Sequence, residues 1–298
     1  MTAHQAPTPP TPPRRPAASI AIPSPCQDLI DRGALVAINH SGGKDSQAMT
    51  IQLARQVPIN QLVAVHAPLA EVEWPGTLRH IETTLPAGIP LILAHIASGE
   101  TLLDRIERRG RFPDRRRRYC TSDFKRTPIE RELRRYLKAN PCFGGRIVNA
   151  MGIRRDESPD RAKRDPWQFN HRNSRAGRQW YDWLPIFDHD ETQVFRTIRA
   201  AGQTPHPVYG LGLSRCSCSF CIFGSRADLA TAARLRPDLY RRYVRLERKL
   251  GHSLSPSRQS LPEITGIQPE RASHPARATD CHRQNRNRSQ PSKPRLNI

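Results

Sequence analysis

Six consecutive residues at positions 41–46, Ser-Gly-Gly-Lys-Asp-Ser, have the types and the spacing of an anion-binding loop. An apolar run at 34–38 precedes them, and a helix-compatible stretch at 44–56 follows. At such a strand-to-helix turn, free backbone N–H groups and the helix dipole both favour a bound anion. The sequence therefore predicts a site for the phosphate groups of a nucleotide. The residues expected to bind them are Ser41, Gly42, Gly43, Lys44, Asp45 and Ser46.

Two residues of this loop are candidate catalytic residues. Lys44 is expected to stabilise the charge of departing phosphates, and Asp45 to bind magnesium directly or through water. The loop differs from the common P-loop, which needs Gly where this chain has Ile38 and Ser or Thr where it has Asp45. A plain glycine turn between a strand and a helix is the alternative interpretation.

Cysteines form the second candidate site. Cys216, Cys218 and Cys221 make a C-x-C-x-x-C string, whose closely spaced thiols can bind one soft metal ion or a cluster. Tetrahedral zinc and a [4Fe–4S] cluster both take four thiolates, and Cys120 is the best fourth ligand. The alternative is a group of structural cysteines without metal. The chain has seven cysteines, an odd number, which favours thiol or metal chemistry over disulfides.

Basic residues form the third group. Four consecutive arginines at 115–118 stand directly before Tyr119 and Cys120, and Lys125 follows. Guanidinium groups bind phosphate or sulfate oxygens in bidentate fashion, although such runs also occur as solvated surface or as nucleic-acid contacts. Their positive charge is expected to lower the pKa of Cys120.

A loop at 152–161 is the fourth group. Its residues Arg154 and Arg161 are candidates for binding phosphate or sulfate oxygens, and Arg154 is a candidate catalytic residue. Glu157 is expected to orient an arginine or a magnesium ion. An ordinary charged loop is the alternative.

The elements that must position these groups alternate between strand and helix. The predicted strands are 33–39, 62–66, 91–95 and 146–151. The predicted helices are 44–56, 77–84, 98–109 and 123–138. This order predicts an α/β fold with a doubly wound, mostly parallel sheet and helices on both faces. Ligands of such sheets bind beyond the carboxyl ends of the strands, where the loops at 41–46 and 152–161 lie.

The alternation of predicted strands and helices is less regular after residue 155. The charged segment 156–179 is predicted as a mobile loop over the site. Helices are predicted at 191–201 and 238–250, within a smaller C-terminal helical part that carries the cysteines. The Pro-rich leader and the basic tail are predicted to be disordered. The predicted domain boundaries are 1–25 for the leader, 26–265 for the nucleotide-binding domain and 266–298 for the tail.

The chain is strongly basic. Lys and Arg number 48 against 27 Asp and Glu, which gives a net charge of +21. The leader and the tail carry less than half of this excess, so the folded part should itself attract a polyanion, either a nucleic acid or a nucleotide. A solvated basic surface is the alternative. Because no run approaches about 18 apolar residues and the leader lacks the apolar region of a signal peptide, we expect a cytoplasmic protein without membrane contacts.

Taken together, these motifs resemble the PAPS (phosphoadenosine phosphosulfate) reductase family of the adenine nucleotide α-hydrolase, or PP-loop ATP pyrophosphatase, superfamily. The resemblance extends from about residue 33 to 261 and is carried by the loops at 41–46 and 152–161 and by Tyr119-Cys120 with Lys125. It implies an adenine nucleotide bound with magnesium, with Ala64 and His66 beside the adenine. The remaining nucleotide-binding residues implied by the resemblance are Lys125, Gly152, Arg154 and Arg161.

Two departures from the family pattern bear on the reaction. The nucleophilic cysteine motif of sulfonucleotide reductases has only Asp280-Cys281-His282 as its nearest counterpart. The paired cysteines of cluster-binding reductases are replaced by Tyr119-Cys120, with an extra thiol at Cys216. Another branch of the family uses a related iron–sulfur cysteine set for sulfur insertion, including DNA phosphorothioation, and a basic chain fits that branch better.

Three hypotheses follow. The first is an enzyme that binds ATP, PAPS or APS and cleaves it at the α-phosphate for adenylation-linked sulfur transfer. Nucleic acid and a sulfur-donor protein are the partners that this hypothesis leaves open. The second is a reductase that releases sulfite from PAPS or APS. The third is a non-catalytic, nucleic-acid-binding subunit, although an aromatic content of 6% gives no evident base-stacking surface.

Overall fold

A computed structural model of the chain describes residues 19–271. Six strands form one sheet in the order β3-β2-β1-β4-β6-β5. The strands are β1 (Leu35–Asn39), β2 (Leu62–His66), β3 (Leu91–Leu93), β4 (Arg146–Met151), β5 (Trp167–Phe169) and β6 (Gln179–Trp183). All neighbours pair in parallel except β5, which runs antiparallel to β6 at one edge. The predicted mostly parallel sheet is confirmed.

Helices follow most strands in the described part of the chain. They are α1 (Ser24–Asp31), α2 (Lys44–Gln56), α3 (Thr77–Thr84), α4 (Leu102–Arg109), α5 (Tyr119–Thr121), α6 (Thr127–Ala139), α7 (Pro159–Ala162), α8 (Glu191–Ala200), α9 (Arg226–Leu235), α10 (Pro237–Leu250) and α11 (Leu261–Thr265). A π-helical turn, Ser122–Arg126, leads into α6. Within the described residues, no helix is both long and apolar enough to span a bilayer.

The sheet is apolar because helices cover both of its faces. Alternate residues of β1 separate into two clusters, since successive strand side chains point to opposite faces. Val36 and Ile38 pack in a cluster with residues of α1, α2 and α8, whereas Leu35 and Ala37 pack with residues of α6. The predicted doubly wound arrangement is therefore present.

A third apolar cluster packs the C-terminal part against residues of the segment 69–124. Helices α9, α10 and α11 contribute to it, and the buried aromatic residues Tyr240, Tyr243 and Phe220 lie within it. Cys120, Cys216 and Cys218 are partly buried against the same cluster. The predicted smaller, helical and cysteine-bearing part is confirmed.

Several element boundaries match the sequence prediction, and others do not. The helices at 44–56 and 77–84 and the strands at 62–66 and 146–151 agree with the structure. The helix expected from Ser98 begins only at Leu102, because Gly99 has a φ of 67° and Thr101 caps the helix through the N–H of Asp104.

The segment 156–179, which was predicted as a mobile loop over the site, contains regular elements. It contains α7 and β5, and β5 forms a hairpin with the unpredicted strand β6. Both strands mix aromatic and polar residues, and Gln168 pairs in register with Asp182. Their apolar pattern is therefore too weak to predict from sequence, although aromatic stacking of Trp167 on Tyr181 stabilises the hairpin.

The N-terminal boundary also differs from the expectation. Ile20 is 4% exposed and α1 begins at Ser24, so packing starts before the predicted boundary at residue 26. Residues 1–18 of the predicted leader and residues 272–298 of the predicted tail, which include Cys281, lie outside the described residues.

Candidate functional site

The loop at 41–46 connects β1 to α2 at the carboxyl edge of the sheet. Its serines stabilise the turn: the Ser46 hydroxyl donates to Gly43 O at 2.9 Å and accepts from Ser41 N–H at 3.2 Å. His40 Nδ1 accepts from Gly42 N–H at 3.1 Å, and His66 Nδ1 lies 2.9 Å from His40 O. The loop is therefore held in shape before any ligand binds.

Glycine is needed in this loop because other parts of the chain approach it closely. Gly42 has a φ of 79°, and a Cβ there would lie 2.6 Å from Thr77 Cγ2. A Cβ at Gly43 would lie 3.3 Å from Tyr209 Oη and 3.4 Å from Cys216 Cβ. The segment 216–221, which carries the three closely spaced cysteines, and the loop at 41–46, called the phosphate loop after its predicted ligand, thus meet at Gly43.

Three backbone donors of the loop are free. Among the described residues, the N–H groups of Gly43, Asp45 and Ser46 have no hydrogen-bond acceptor, whereas Lys44 N–H donates to Tyr209 Oη at 2.9 Å. Donors at the start of a helix of this length form an anion site. A Cβ at Gly152 would lie 3.1 Å from Ser46 N, so glycine at 152 keeps that donor uncovered.

Lys44 does not extend freely toward the cavity. Its side chain is 5% exposed, and Nζ lies 3.2 Å from Glu191 and 3.4 Å from Asp45. Nζ also lies 5.3 Å from the centroid of the Tyr209 ring. The charge of Lys44 is therefore largely compensated within the protein.

Arg154 is likewise bound by its neighbours. Its Nε donates to Asp45 at 2.6 Å, its Nη1 donates to Asp156 at 2.6 Å, and its side chain is 4% exposed. Burial lowers the pKa of Arg154, but the carboxylates of Asp45 and Asp156 outweigh this effect and raise it. A direct bond between magnesium and Asp45 would have to compete with this ion pair.

Glu157 orients basic residues, as the sequence analysis expected. Its carboxylate accepts from Arg154 N–H at 3.0 Å and forms an ion pair with Arg161. Arg215 lies 3.9 Å from the same carboxylate. Arg161 is thus beside the site, with its charge partly balanced.

These groups surround one cavity of about 720 Å³. The predicted residues that line it are Ser41, Gly43, Lys44, Asp45, Cys120, Lys125, Gly152, Arg154, Arg161, Cys216, Cys218 and Cys221. Two of the four consecutive arginines, Arg115 and Arg118, also line it. The structure therefore brings the phosphate loop, the loop at 152–161 (the arginine loop) and the cysteines to one cavity.

Two predicted adenine contacts are not brought to this cavity. Ala64 is 0% exposed and lies within β2, where it packs in the apolar cluster that includes α2. His66 is 2% exposed, and its Nε2 lies 3.4 Å from Glu73. Ala64 belongs to the middle of a buried strand, whereas ligands of this sheet are expected beyond the strand ends.

The four cysteines are free and partly buried. Burial raises the pKa of Cys216 and of Cys218 to about 12. Burial also raises the pKa of Cys120, so the predicted lowering by nearby arginines is wrong. The Thr121 hydroxyl, Lys125 and Arg118 act to lower the pKa of Cys120, but they do not offset its loss of hydration.

The thiols have the right chemical type for zinc or a cluster, and all four line one cavity. However, no three His, Cys, Asp or Glu side chains in residues 19–271 are grouped closely enough to hold a metal ion. The predicted metal site therefore stays a prediction.

Burial acts to lower the pKa of Lys125, but the nearby Cys218 and Glu73 raise it above its ordinary value.

Sequence reasoning missed two contributors to the site. His40 holds Gly42, and burial lowers its pKa to about 3, so it is a neutral hydrogen-bond acceptor. Its position next to the loop was the available signal. Glu191 reaches Lys44 from the first turn of α8, and no local pattern connects two residues so far apart.

Comparison with known proteins gives the following relatives. An uncharacterized 37.8 kDa protein in the gpa 5' region of Escherichia phage 186 is 27% identical over 151 residues, which cover 51% of this chain and 43% of that protein. The chain thus spans less than half the length of the curated relative it matches.

Solved structures with similarity include a PAPS reductase from Candida auris in complex with phosphate (13% identity, TM-score 0.41, 67% of this chain and 98% of that chain). The U34-tRNA thiolase NcsA from Methanococcus maripaludis, with its [4Fe-4S] cluster, is 15% identical with a TM-score of 0.39, over 81% of this chain and 87% of that chain. The FMN adenylyltransferase of Candida glabrata, in complex with FMN and the ATP analog AMPCPP, is 14% identical with a TM-score of 0.38, over 64% of this chain and 62% of that chain.

The family comparison covers the whole phosphate loop, the arginine loop and the C-x-C-x-x-C string. A model of the phosphoadenosine phosphosulfate reductase domain matches residues 36–223, which is more than half of the chain. This protein therefore belongs to the phosphoadenosine phosphosulfate reductase domain family.

Proposed function

We propose that this protein binds an adenine nucleotide at the loop 41–46 and cleaves it at the α-phosphate for adenylation-linked sulfur transfer. The observation that carries this proposal is the set of free N–H groups of Gly43, Asp45 and Ser46, because Gly43 and Asp45 line a cavity that four thiols also line. Anion donors and sulfur ligands in one cavity fit a reaction that joins phosphate chemistry to sulfur chemistry. ATP is the nucleotide that this reaction requires.

The bond changes define the roles of the residues. An oxygen of the acceptor would form a bond to the α-phosphorus, and the bond from that phosphorus to the bridging oxygen would break. Pyrophosphate would leave with the bonding electrons, next to the free donors of Gly43, Asp45 and Ser46 and the positive end of α2. A sulfur nucleophile would then displace AMP from the adenylated acceptor.

The ion pairs of the site would act mainly by positioning. Arg154 connects the phosphate loop to the loop at 152–161 through Asp45 and Asp156. Lys44 connects the loop to α8 through Glu191. Lys125 and Arg161, each on the cavity wall, would provide the positive charge nearest to the nucleotide.

The cysteines would hold the metal group. A [4Fe–4S] cluster, or zinc, would take Cys120, Cys216, Cys218 and Cys221 as ligands, and a cluster would bind sulfur at an iron atom only if one of these four thiolates released that iron. A sulfur-donor protein is the partner that this role requires. Magnesium would bind the phosphates, with Asp45 as a ligand through water.

The nucleotide chemistry can be tested with ATP labelled at the α-phosphate. We expect labelled AMP and unlabelled pyrophosphate in the presence of an acceptor. Sulfite release from PAPS with a thiol donor, without ATP cleavage, would instead support the reductase alternative. If ATP, APS and PAPS all fail to bind, both proposals are contradicted.

The metal can be tested by anaerobic purification, followed by an absorption spectrum and analysis for iron and zinc. We expect stoichiometric metal in the wild type and its loss in Cys218→Ser. Cys142→Ser is the matched control, because Cys142 is an exposed free cysteine that does not line the cavity. Wild-type protein without either metal would contradict this part of the proposal.

A further inference from the structure

A second concave surface lies at the opposite edge of the sheet from the phosphate loop. Its volume is about 790 Å³. Gly145 on its wall directly precedes β4, whereas Gly152 of the phosphate site directly follows this strand. Six strand residues span roughly 20 Å. The two surfaces are therefore separate, and we call the second one the amino-edge groove.

The amino-edge groove is lined by cations without a carboxylate among its lining residues. The cations are Arg131, Arg134, Arg135, Lys138 and Arg178. Glu132 forms ion pairs with Arg131 and Arg135, and Glu130 lies 4.0 Å from Arg134. Lys138 and Arg178 have no carboxylate partner among the described residues, so an excess of positive charge faces the groove.

The cations on α6 have a regular spacing. Residues 131, 134, 135 and 138 are separated by three and four positions, which places them on one side of the helix. From 131 to 138 the helix rises roughly 10 Å. The charges of a nucleic-acid strand repeat about every 3.4 Å along the duplex axis, so a row of this length can contact more than one phosphate. A single small anion would contact only part of it.

Backbone donors complete the groove. Gly144, Gly145, Ala176 and Gly177 all have positive φ values, of 57°, 71°, 54° and 79°. Among the described residues, the N–H groups of Gly145, Ala176 and Gly177 have no acceptor. Turns of this kind form concave anion sites. A Cβ at Gly145 would lie 2.9 Å from Gly177 O, so only glycine allows the two turns to meet.

We propose that the amino-edge groove binds the phosphodiester backbone of a nucleic acid. Binding there would use charge and backbone donors and would not depend on base sequence. This inference goes beyond the proposed nucleotide chemistry and is independent of it, since no residue of the groove lines the phosphate site.

The test is the affinity of the full chain for a fluorescent oligonucleotide of about 20 nucleotides, measured by anisotropy between about 50 and 200 mM salt. The test variant is Lys138→Gln with Arg178→Gln. The matched control is Arg55→Gln with Arg79→Gln, which removes the same charge from two exposed positions outside both cavities.

We expect the test variant to bind about tenfold more weakly, with the salt slope reduced by about 1 to 2. The control should change affinity by less than about twofold. Lys138→Glu, at an exposed position without a hydrogen bond to lose, keeps the test valid if the double variant fails to fold. ATP binding should be the same in all variants.

Two outcomes with the variants would overturn the proposal. One is an equal loss in the test and control variants, which would indicate general attraction to a basic chain. The other is unchanged binding in both test variants, which would place the nucleic acid elsewhere on the chain. A poly-glutamate of equal charge is the competitor, and equal competition by it would contradict the assignment to phosphodiesters.

Discussion

The basic side chains compared here, at the two edges of the sheet, differ in whether they are paired with carboxylates. At the carboxyl edge, Lys44 and Arg154 are buried and already paired with carboxylates, and free backbone donors face the cavity. At the amino edge, Lys138 and Arg178 line an open groove without a carboxylate partner among the described residues. The first arrangement suits one ligand in a fixed position. The second suits a long polyanion held mainly by charge.

In this structure, the number of basic residues does not indicate how much positive charge is free to bind an anion. Lys44 and the arginine loop are prominent in the sequence, yet their charges are compensated in the folded protein. Within the loop at 41–46, the donors that remain are backbone N–H groups, which are fixed by the turn and need little reorganisation. The following predictions test this difference from the largest expected effect to the smallest.

The largest effect is expected from Gly152→Ala. Its Cβ would lie 3.1 Å from Ser46 N and would cover a free donor of the phosphate site. Loss of hydrogen bonds to a charged group should weaken ATP binding about 10- to 100-fold by calorimetric titration. Oligonucleotide binding should not change.

The control for this substitution is Gly210→Ala, where a Cβ would make only an ordinary contact with Pro207 O at 3.4 Å. We expect ATP affinity within about twofold of wild type. If Gly152→Ala binds ATP as well as the control does, the backbone donors are not the binding groups.

A second prediction concerns pH and stability. Burial, with help from the nearby His66, lowers the pKa of His40 to about 3, whereas an unfolded histidine has a pKa of about 6.5. Below about 6.5 the unfolded chain therefore binds a proton that folded His40 does not. The free energy of unfolding should fall by about 1 kcal/mol per pH unit from this group as the pH drops toward 4.

Denaturant titrations at several pH values measure this effect. His40→Asn keeps an acceptor for Gly42 N–H but cannot titrate, so its stability should depend less steeply on pH. His171→Asn, at an exposed position, should retain the wild-type slope. Identical slopes in all three proteins would show that His40 is not a buried neutral group.

A third prediction separates Lys44 from the backbone donors. Since Glu191 and Asp45 already compensate its charge, Lys44→Met should weaken ATP binding by less than about tenfold, which is less than Gly152→Ala. The same titration measures both. A larger loss for Lys44→Met would show that this side chain leaves its ion pairs to bind phosphate.

The smallest effect is expected when the affinity for ATP is measured at increasing salt concentration. Between about 50 and 200 mM salt, ATP affinity should fall by only a few-fold, because fixed donors and a buried site are weakly screened. Oligonucleotide affinity should fall much more steeply, in proportion to the phosphates bound. Equal slopes for the two ligands would remove the distinction between the two edges.

The sequence predicted the regular half of the molecule well. Strong apolar runs and helical periodicity placed β2, β4, α2 and α3 correctly. Strand β6 was missed because Gln179 and Asp182 interrupt its apolar pattern, and β5 because it is only three residues long. The pattern of apolar residues along the chain predicted the strands whose surroundings are apolar on both faces, and it did not predict β5 and β6.

The site was predicted by residue type more successfully than by geometry. Motif spacing singled out the phosphate loop, the arginine loop and the cysteines as one candidate site, and residues of all three line one cavity. Their roles stay predictions. Motif spacing could not indicate that Arg154 binds Asp45 or that Tyr209 binds the Lys44 N–H, because these contacts join residues more than 100 positions apart. The same contacts decide which groups remain free for a ligand.

The most direct test of the account is the response of individual backbone amides to ATP, measured by nuclear magnetic resonance on nitrogen-15-labelled protein. We predict that the amide signals of Gly43, Asp45 and Ser46 shift on titration, whereas those of Gly145 and Gly177 do not. Unchanged signals at 43, 45 and 46 with saturating ATP would contradict the assignment of this loop as the phosphate site.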